Sequence, residues 1–285
     1  MNPWLERRVL TYAHQGGARE APSSTLYAFR TALDAGADAL EMDVHATSDG
    51  HLVVCHDATV DRTTNGHGAI SELTLAEVQS LDNAYWFVPG EVVAPGRPDA
   101  DYPLRGRAPS DPELRVPTLE EVLAEFPGVP LNLDIKQTAP AVAPYEEALA
   151  DLLRRYGRAD DVIVASFNDL ATERFRELAP DVWISPGTMG TGTFVGAVRR
   201  GEDPPPMHHA ALQVPTQFAG VVIVDEAMVA AAHSAGLALH VWTIDEREEM
   251  DRLLAVGVDG IMSDRPTVLV ESVRAAGLQW DGPAR

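Results

Sequence analysis

Short runs of apolar and β-branched residues alternate with segments of helical spacing along most of the chain. Eight runs predict strands, at residues 9–14, 39–44, 131–136, 162–167, 182–185, 221–224, 237–243 and 260–263. Six segments carry apolar residues at helical intervals, at residues 25–35, 119–126, 145–156, 170–178, 226–235 and 246–256. Strands that alternate with helices indicate a parallel sheet, and eight of them favour closure into a (β/α)8 TIM barrel.

The length of the chain is compatible with one barrel domain as well as with two small domains, and the predicted barrel favours the first. One (β/α)8 barrel needs about 250 residues, and the chain has 285. We therefore expect a single domain over residues 1–285. No glycine-rich dinucleotide fingerprint follows the first predicted strand, which disfavours an open nucleotide-binding sheet.

Two segments interrupt the alternation. After the second strand, the pair Asp49-Gly50 predicts a β-hairpin with a two-residue turn, which would place Asp43 opposite His56. Residues 57–117 then form a long insertion, which we interpret as a cap over the mouth of the barrel. A second loop is expected at residues 202–213, where three consecutive prolines precede His208 and His209; both histidines are expected to face solvent.

Composition narrows the classes of function. The net charge of −21, from 43 acidic and 22 basic residues, argues against nucleic-acid binding, because that affinity depends on cations that neutralise phosphates. The single cysteine, Cys55, excludes an intramolecular disulfide. No apolar stretch is long enough to span a membrane, and the first ten residues do not resemble a signal peptide, so we expect a cytoplasmic protein. The sequence carries no signal for the oligomeric state.

Ionisable residues gather where the predicted strands end. His14 ends the first strand and His56 follows the hairpin. Glu41 and Asp43 are two residues apart in the second strand, so both carboxylates project from the same face. Asp134 and Lys136 have the same relation in the third strand. Carboxylates crowded in a barrel interior are reasonable if a cation lies between them, and oxygen ligands favour Mg²⁺, Ca²⁺ or Mn²⁺.

The order of these motifs resembles the glycerophosphodiester phosphodiesterase family from about residue 9 to 270. The matching segments are His14-Gln15-Gly16, Pro22-Ser23-Ser24-Thr25, Glu41-Met42-Asp43, His56-Asp57, Asp61-Arg62-Thr63-Thr64-Asn65-Gly66, Leu131-Asn132-Leu133-Asp134-Ile135-Lys136, Val241-Trp242-Thr243 and Gly257-Val258-Asp259-Gly260-Ile261-Met262-Ser263-Asp264.

The resemblance implies the metal-dependent hydrolysis of glycerophosphodiesters to sn-glycerol 3-phosphate and an alcohol. It implies that His14 and His56 are the general acid–base pair, and that Glu41, Asp43 and Asp134 hold one divalent cation. Gln15 and Lys136 are then expected to contact the phosphate, and Trp242 the glycerol. The residues leave open which histidine is the base, and whether the nucleophile is water or a hydroxyl of the substrate.

Three positions depart from the family pattern. Gln15 stands where the family usually has Arg, Ser23-Ser24 where it has Glu-Asn, and Asp134 where it has Glu. Two alternative functions are therefore kept. One is a lysophospholipase D or sphingomyelinase D, which an apolar groove in residues 81–112 would favour. The other is a non-catalytic barrel that binds phosphate.

Overall fold

Eight parallel strands form a nearly closed barrel in the computed structural model, which describes residues 2–280 and 282. In chain order, all strands are β1 (Leu10–His14), β2 (Ala39–Ala46), β3 (Leu52–Val54), β4 (Leu131–Ile135), β5 (Val162–Ala165), β6 (Trp183–Ile184), β7 (Ala211–Val214), β8 (Gln217–Phe218), β9 (Val221–Val222), β10 (Ala238–Val241) and β11 (Gly260–Ser263). The barrel order is β6-β5-β4-β2-β1-β11-β10-β7, and the backbone N–H of Ala210 donates to the carbonyl of Ile184 across the remaining seam (2.9 Å).

Helices surround this sheet, except for the second one, which lies in the insertion. They are α1 (Leu26–Ala35), α2 (Leu75–Gln79), α3 (Leu119–Glu125), α4 (Glu146–Arg155), α5 (Asp169–Leu178), α6 (Thr188–Arg200), α7 (Glu226–Ser234), α8 (Arg247–Val256) and α9 (Pro266–Ala275). Sequence periodicity did not identify α2, α6 or α9. Among the described residues, no helix combines the length and apolar character that a membrane span requires.

Local sequence explains where a helix such as α1 begins and ends. The Thr25 hydroxyl accepts a hydrogen bond from the Ala28 N–H (3.1 Å), which satisfies one free donor of the first turn. Phe29 and Ala32 of the predicted stripe are fully buried in the cluster between helices and sheet. Gly36 ends the helix with φ +103°, a left-handed conformation that glycine adopts without steric cost.

One predicted strand was wrong. The run at residues 221–224 does not enter the barrel, because Val221–Val222 pairs only with Gln217–Phe218 in an exposed two-stranded hairpin. The barrel strand is instead β7, which lies inside the loop predicted at residues 202–213 and pairs with β10 from Ala211 opposite Ala238. Strand propensity favoured the valines, whereas the less β-branched run after the prolines is the one that is buried in the barrel.

The predicted register of the β2–β3 hairpin was also wrong, by one residue. Val44 lies opposite Val54, so the partner of Asp43 is Cys55 and not His56. The turn contains three residues because the Thr47 hydroxyl donates to Asp49 (2.7 Å) and accepts from the His51 N–H (3.0 Å). Gly50 has φ +84°, as expected for the left-handed position of such a turn.

The insertion at residues 57–117 has a small core of its own. Besides α2 it contains the 3-10 helices Ile70–Glu72, Asp99–Asp101 and Pro112–Leu114, and two apolar clusters pack within it or against β3. Its contact with the barrel includes the segment that follows β1. The Asn83 amide donates to the Ser23 carbonyl (3.0 Å), and the Gly90 N–H donates to the Arg19 carbonyl (2.7 Å). The insertion is therefore attached to the carboxyl end of the barrel.

Candidate active site

The parallel register brings the predicted site residues of three strands together. His14, the last residue of β1, lies beside Glu41 in β2, and Asp43 of β2 lies beside Asp134 in β4. Because Glu41 and Asp43 are two residues apart, their side chains leave the same face of β2. Neighbouring parallel strands thus assemble the imidazole and the three carboxylates from separate parts of the sequence.

His14 contacts carboxylates through both nitrogens of its ring. Its Nδ1 lies 2.6 Å from Asp264 Oδ1, and its Nε2 lies 3.7 Å from Glu41 Oε2. An ionised carboxylate can only accept, so Nδ1 carries a hydrogen and Nε2 faces the site. Burial opposes protonation of this ring, but the charges of Glu41, Asp264 and Asp43 outweigh it and raise the His14 pKa to about 9.

His56 has a matching arrangement. Its Nδ1 lies 2.7 Å from Asp57 Oδ1, and Arg62 binds the other oxygen of Asp57. Burial alone would raise the pKa of Asp57, but the hydrogen bonds from His56 and Arg62 keep it well below its usual range. The His56 and His14 rings meet edge to face, with centroids 6.0 Å apart, so the two imidazoles occupy one site.

The three carboxylates are almost inaccessible to water, with exposures of 5% for Glu41, 1% for Asp43 and 8% for Asp134. Burial, and next the charge of Asp43, raise the pKa of both Glu41 and Asp134. The Lys136 ammonium donates to Asp43 Oδ1 (2.7 Å) and lies 3.7 Å from Asp134 Oδ2. Burial lowers the pKa of Lys136, but these carboxylates raise it by more.

This carboxylate cluster is chemically suited to a hard divalent cation. Asp43 Oδ2 and Asp134 Oδ1 are buried and have no hydrogen-bond partner. A buried acceptor without a donor is costly, and a cation that binds oxygen removes that cost. The three ligand atoms do not all approach within 4.8 Å of one another; among the described residues, the trio that does is Glu173, His208 and His209.

Comparison with known proteins identifies the family of this chain. The model of the glycerophosphoryl diester phosphodiesterase family matches residues 14–268. A glycerophosphodiester phosphodiesterase of Caldanaerobacter subterraneus subsp. tengcongensis is 34% identical over 276 residues, which cover 95% of this chain and 100% of that protein. This chain belongs to the glycerophosphoryl diester phosphodiesterase family. The predicted enzyme class is confirmed, and the non-catalytic alternative is set aside.

Solved structures support the barrel fold. The glycerophosphoryl diester phosphodiesterase domain of a Mycobacterium tuberculosis protein is 21% identical, with a TM-score of 0.75 and coverage of 94% of this chain and 99% of that one. An Oleispira antarctica phosphodiesterase, solved in complex with the product sn-glycerol-3-phosphate, is 23% identical, with a TM-score of 0.70 and coverage of 95% and 99%. The prediction of a (β/α)8 barrel is confirmed.

Two of the departures from the family pattern contact each other. The Ser23 hydroxyl donates to Gln15 Oε1 (2.6 Å), and Gln15 Nε2 lies 3.3 Å from His14 Nε2. Ser23 thereby fixes the amide so that its NH₂ group faces the histidine. Gln15 has φ +53°, and its backbone N–H donates to Glu41 Oε2 (3.2 Å). Gln15 and Ser23 therefore form one neutral hydrogen-bonded unit beside His14.

Sequence reasoning gave no role to the two carboxylates behind the histidines. Asp57 is adjacent to His56, and Asp264 follows β11, so both had a signal in their positions. Trp242, predicted to contact glycerol, follows β10 and packs edge to face against Phe167 at 5.8 Å. Its contact with glycerol stays a prediction.

The first test concerns Asp264 as a positioning residue. Asp264→Asn keeps the shape but removes the charge that holds His14 Nδ1–H. We expect kcat to fall by at least about 10-fold, toward the roughly 10²–10⁴-fold contribution of a positioned acid–base group, with KM nearly unchanged. Steady-state kinetics on a glycerophosphodiester measures both constants.

Asp161→Asn is the matched control, because Asp161 pairs with Arg158 at the other end of the barrel (2.8 Å). The control should keep kcat. Equal losses in both variants, or a change confined to KM, would contradict the positioning role.

Proposed function

We propose that this chain hydrolyses glycerophosphodiesters to sn-glycerol 3-phosphate and an alcohol, with His14 and His56 as the acid–base pair. The observation that carries the proposal is the placement of the two imidazoles beside one buried carboxylate cluster, with ring centroids 6.0 Å apart. The product seen with the Oleispira antarctica phosphodiesterase supports the choice of substrate.

Both histidines present the same atom to the site. Each Nδ1 is bound to a carboxylate, Asp264 or Asp57, so that Nε2 is the atom that exchanges a proton. One Nε2 takes the proton from the nucleophile, and the other gives a proton to the leaving alcohol. If the nucleophile is water, this step yields the products directly; if it is a hydroxyl of the substrate, it yields a cyclic phosphate that water then opens. Both hydrogen-bonding arrangements leave Nε2 facing the site, so they do not by themselves decide which histidine is the base.

Glu41, Asp43 and Asp134 would hold one divalent cation, Mg²⁺, Ca²⁺ or Mn²⁺. When bound, such a cation supplies positive charge that polarises the phosphodiester and neutralises its oxygens. Lys136 and the NH₂ group of Gln15 are the donors that this chain offers to the phosphate. Of these two donors, Gln15 is neutral, so Lys136 is the one that offers a positive charge to the phosphate.

Replacement of the histidines tests the acid–base assignment. His14→Ala and His56→Ala should each lower kcat by at least about 10²-fold, because each removes one proton-transfer group. His51→Ala is the control, since His51 is exposed at the tip of the β2–β3 hairpin. Circular dichroism should show an intact fold in all three. Turnover close to wild type in both site variants would refute the assignment.

Removal of the cation tests the carboxylate cluster. Dialysis against EDTA should abolish hydrolysis, and Mg²⁺, Ca²⁺ or Mn²⁺ should restore it. Asp43→Asn and Asp134→Asn should require a higher concentration of cation for half-maximal rate, because each removes a charged ligand. Full activity in the presence of chelator would contradict a metal-dependent reaction.

A second candidate, a phosphodiesterase that acts on lysophospholipids, is favoured by the exposed apolar side chains. In the described part of the chain eight large apolar side chains are exposed, and six of them follow barrel strands: Phe167, Leu170, Met189, Phe218, Val221 and Val222. Loops that follow the strands surround the site. These six side chains could contact an acyl chain.

The insertion adds a cavity of about 380 Å³, lined among others by Arg62, Tyr85 and Trp86. Because Arg62 also binds Asp57, this cavity adjoins the His56 arm of the site. This cavity has aromatic and charged walls and can take a polar head group as well as an apolar one, so it is not the purely apolar groove that would favour the second candidate.

A head-to-head assay separates the two candidates. With glycerophosphocholine as the better substrate by kcat/KM, the first candidate holds; with lysophosphatidylcholine as the better one, the second does. In that case Leu170→Ser should lower kcat/KM for the lysolipid alone, because Leu170 is one of the six exposed side chains and is 79% exposed. Leu278→Ser, an exposed apolar position after α9, is the control and should change neither rate.

A further inference from the structure

A second group of metal-ligating side chains lies away from the active site, between α5 and the segment that precedes β7. His208 Nε2 lies 2.9 Å from Glu173 Oε1, and His209 Nε2 lies 3.6 Å from the same oxygen. One ligand atom from each residue falls within 4.8 Å of the other two. The expectation that both histidines face solvent was wrong for His209, whose side chain is only 8% exposed.

Hydrogen bonding alone leaves His209 unexplained. Its Nδ1 is buried without a partner, and its Nε2 is too far from Glu173 for a hydrogen bond. The rings of His208 and His209 are stacked, with centroids 4.4 Å apart and planes 24° apart, so both edges turn toward one carboxylate oxygen. A buried imidazole nitrogen without a partner is costly, and a metal ion at this place would give the ring a bond that no neighbouring protein group supplies.

A neighbouring arginine orients the Glu173 carboxylate toward the two histidines. Arg176 Nε donates to the other oxygen of Glu173 (2.9 Å), which orients the carboxylate with Oε1 toward the two histidines. A neutral imidazole has the lone pair that binds metals.

We propose that Glu173, His208 and His209 form a structural binding site for a borderline transition-metal ion such as Zn²⁺. Two imidazoles and one carboxylate are a ligand set that Zn²⁺ accepts, with water as the fourth ligand. Nitrogen ligands disfavour Mg²⁺ and Ca²⁺, so the chemistry of this site differs from that of the oxygen cluster at Glu41, Asp43 and Asp134.

The position of the site indicates what the ion would do. His209 is followed by Ala210, whose N–H bridges the seam of the barrel to Ile184 of β6. A metal ion at this place would tie the segment before β7 to α5, beside the point where the barrel closes. It would therefore stabilise the folded chain without any contact with the reacting groups.

Metal titration of the full chain, free of any affinity tag and stripped by chelator, tests this site. Calorimetry should show that wild type binds one Zn²⁺ more per chain than Glu173→Gln or His208→Ala. The midpoint of thermal unfolding of wild type should rise by roughly 5 °C more than that of either variant when Zn²⁺ exceeds its Kd by about a hundredfold. Mg²⁺ should shift all three proteins equally.

His67→Ala is the matched control, because His67 pairs with a carboxylate, Asp61 (3.2 Å), at an exposed position. This control should keep the wild-type stoichiometry and the full thermal shift. Any Zn²⁺ that binds at the active site appears equally in every protein and cancels in the comparison. Equal stoichiometry and equal shifts in wild type and Glu173→Gln, or an equal extra response to Mg²⁺, would overturn the proposal, whatever the activity of the enzyme.

Discussion

The burial of three carboxylates at one end of the barrel is the constraint on which the rest of the active site depends. Glu41, Asp43 and Asp134 repel one another and are nearly withdrawn from water, so their charged forms need compensation from nearby. The chain supplies it through Lys136, which lies between two of them, and through His14, whose pKa their charges raise. The same crowding that costs folding energy creates the negative field that can hold a cation.

The orientation of the histidines also depends on pairing between opposite charges. Each ring is bound through Nδ1 by a carboxylate whose residue is held in turn. Arg62 binds the carboxylate of Asp57, and the backbone N–H of Asp264 donates to Asp245 Oδ1 (2.9 Å). These outer contacts fix which nitrogen faces the site. The charges around the mouth therefore form one connected network, so that a substitution at its edge can act on proton transfer without contact with the substrate.

Sequence patterns could predict those parts of the site that depend on spacing within one strand. The period of two residues placed Glu41 with Asp43, and the parallel strand order placed them near His14 and Asp134. The pattern failed where contacts between distant segments decide. The Thr47 side chain lengthened the hairpin turn, and burial selected Ala211–Val214 over the more β-branched Val221–Val222. Likewise, Gln15 and Ser23 look like two separate departures in the sequence, and only their 2.6 Å contact shows that they are one.

The middle strands of the sheet and the seam between β6 and β7 differ in how extensively they are paired. His14 and the three predicted metal ligands stand on β1, β2 and β4, and Asp264 follows β11. These four strands are neighbours in the middle of the sheet, with three to five residue pairs at each junction. The seam between β6 and β7 is opposite, and there β6 contributes only two residues to its ladder with β5. A rigid, fully paired region suits groups that must stay aligned during proton transfer, whereas the sparsely paired seam gains most from an additional cross-link. The imidazole–carboxylate cluster beside Ala210 lies where such a cross-link would strengthen the barrel most.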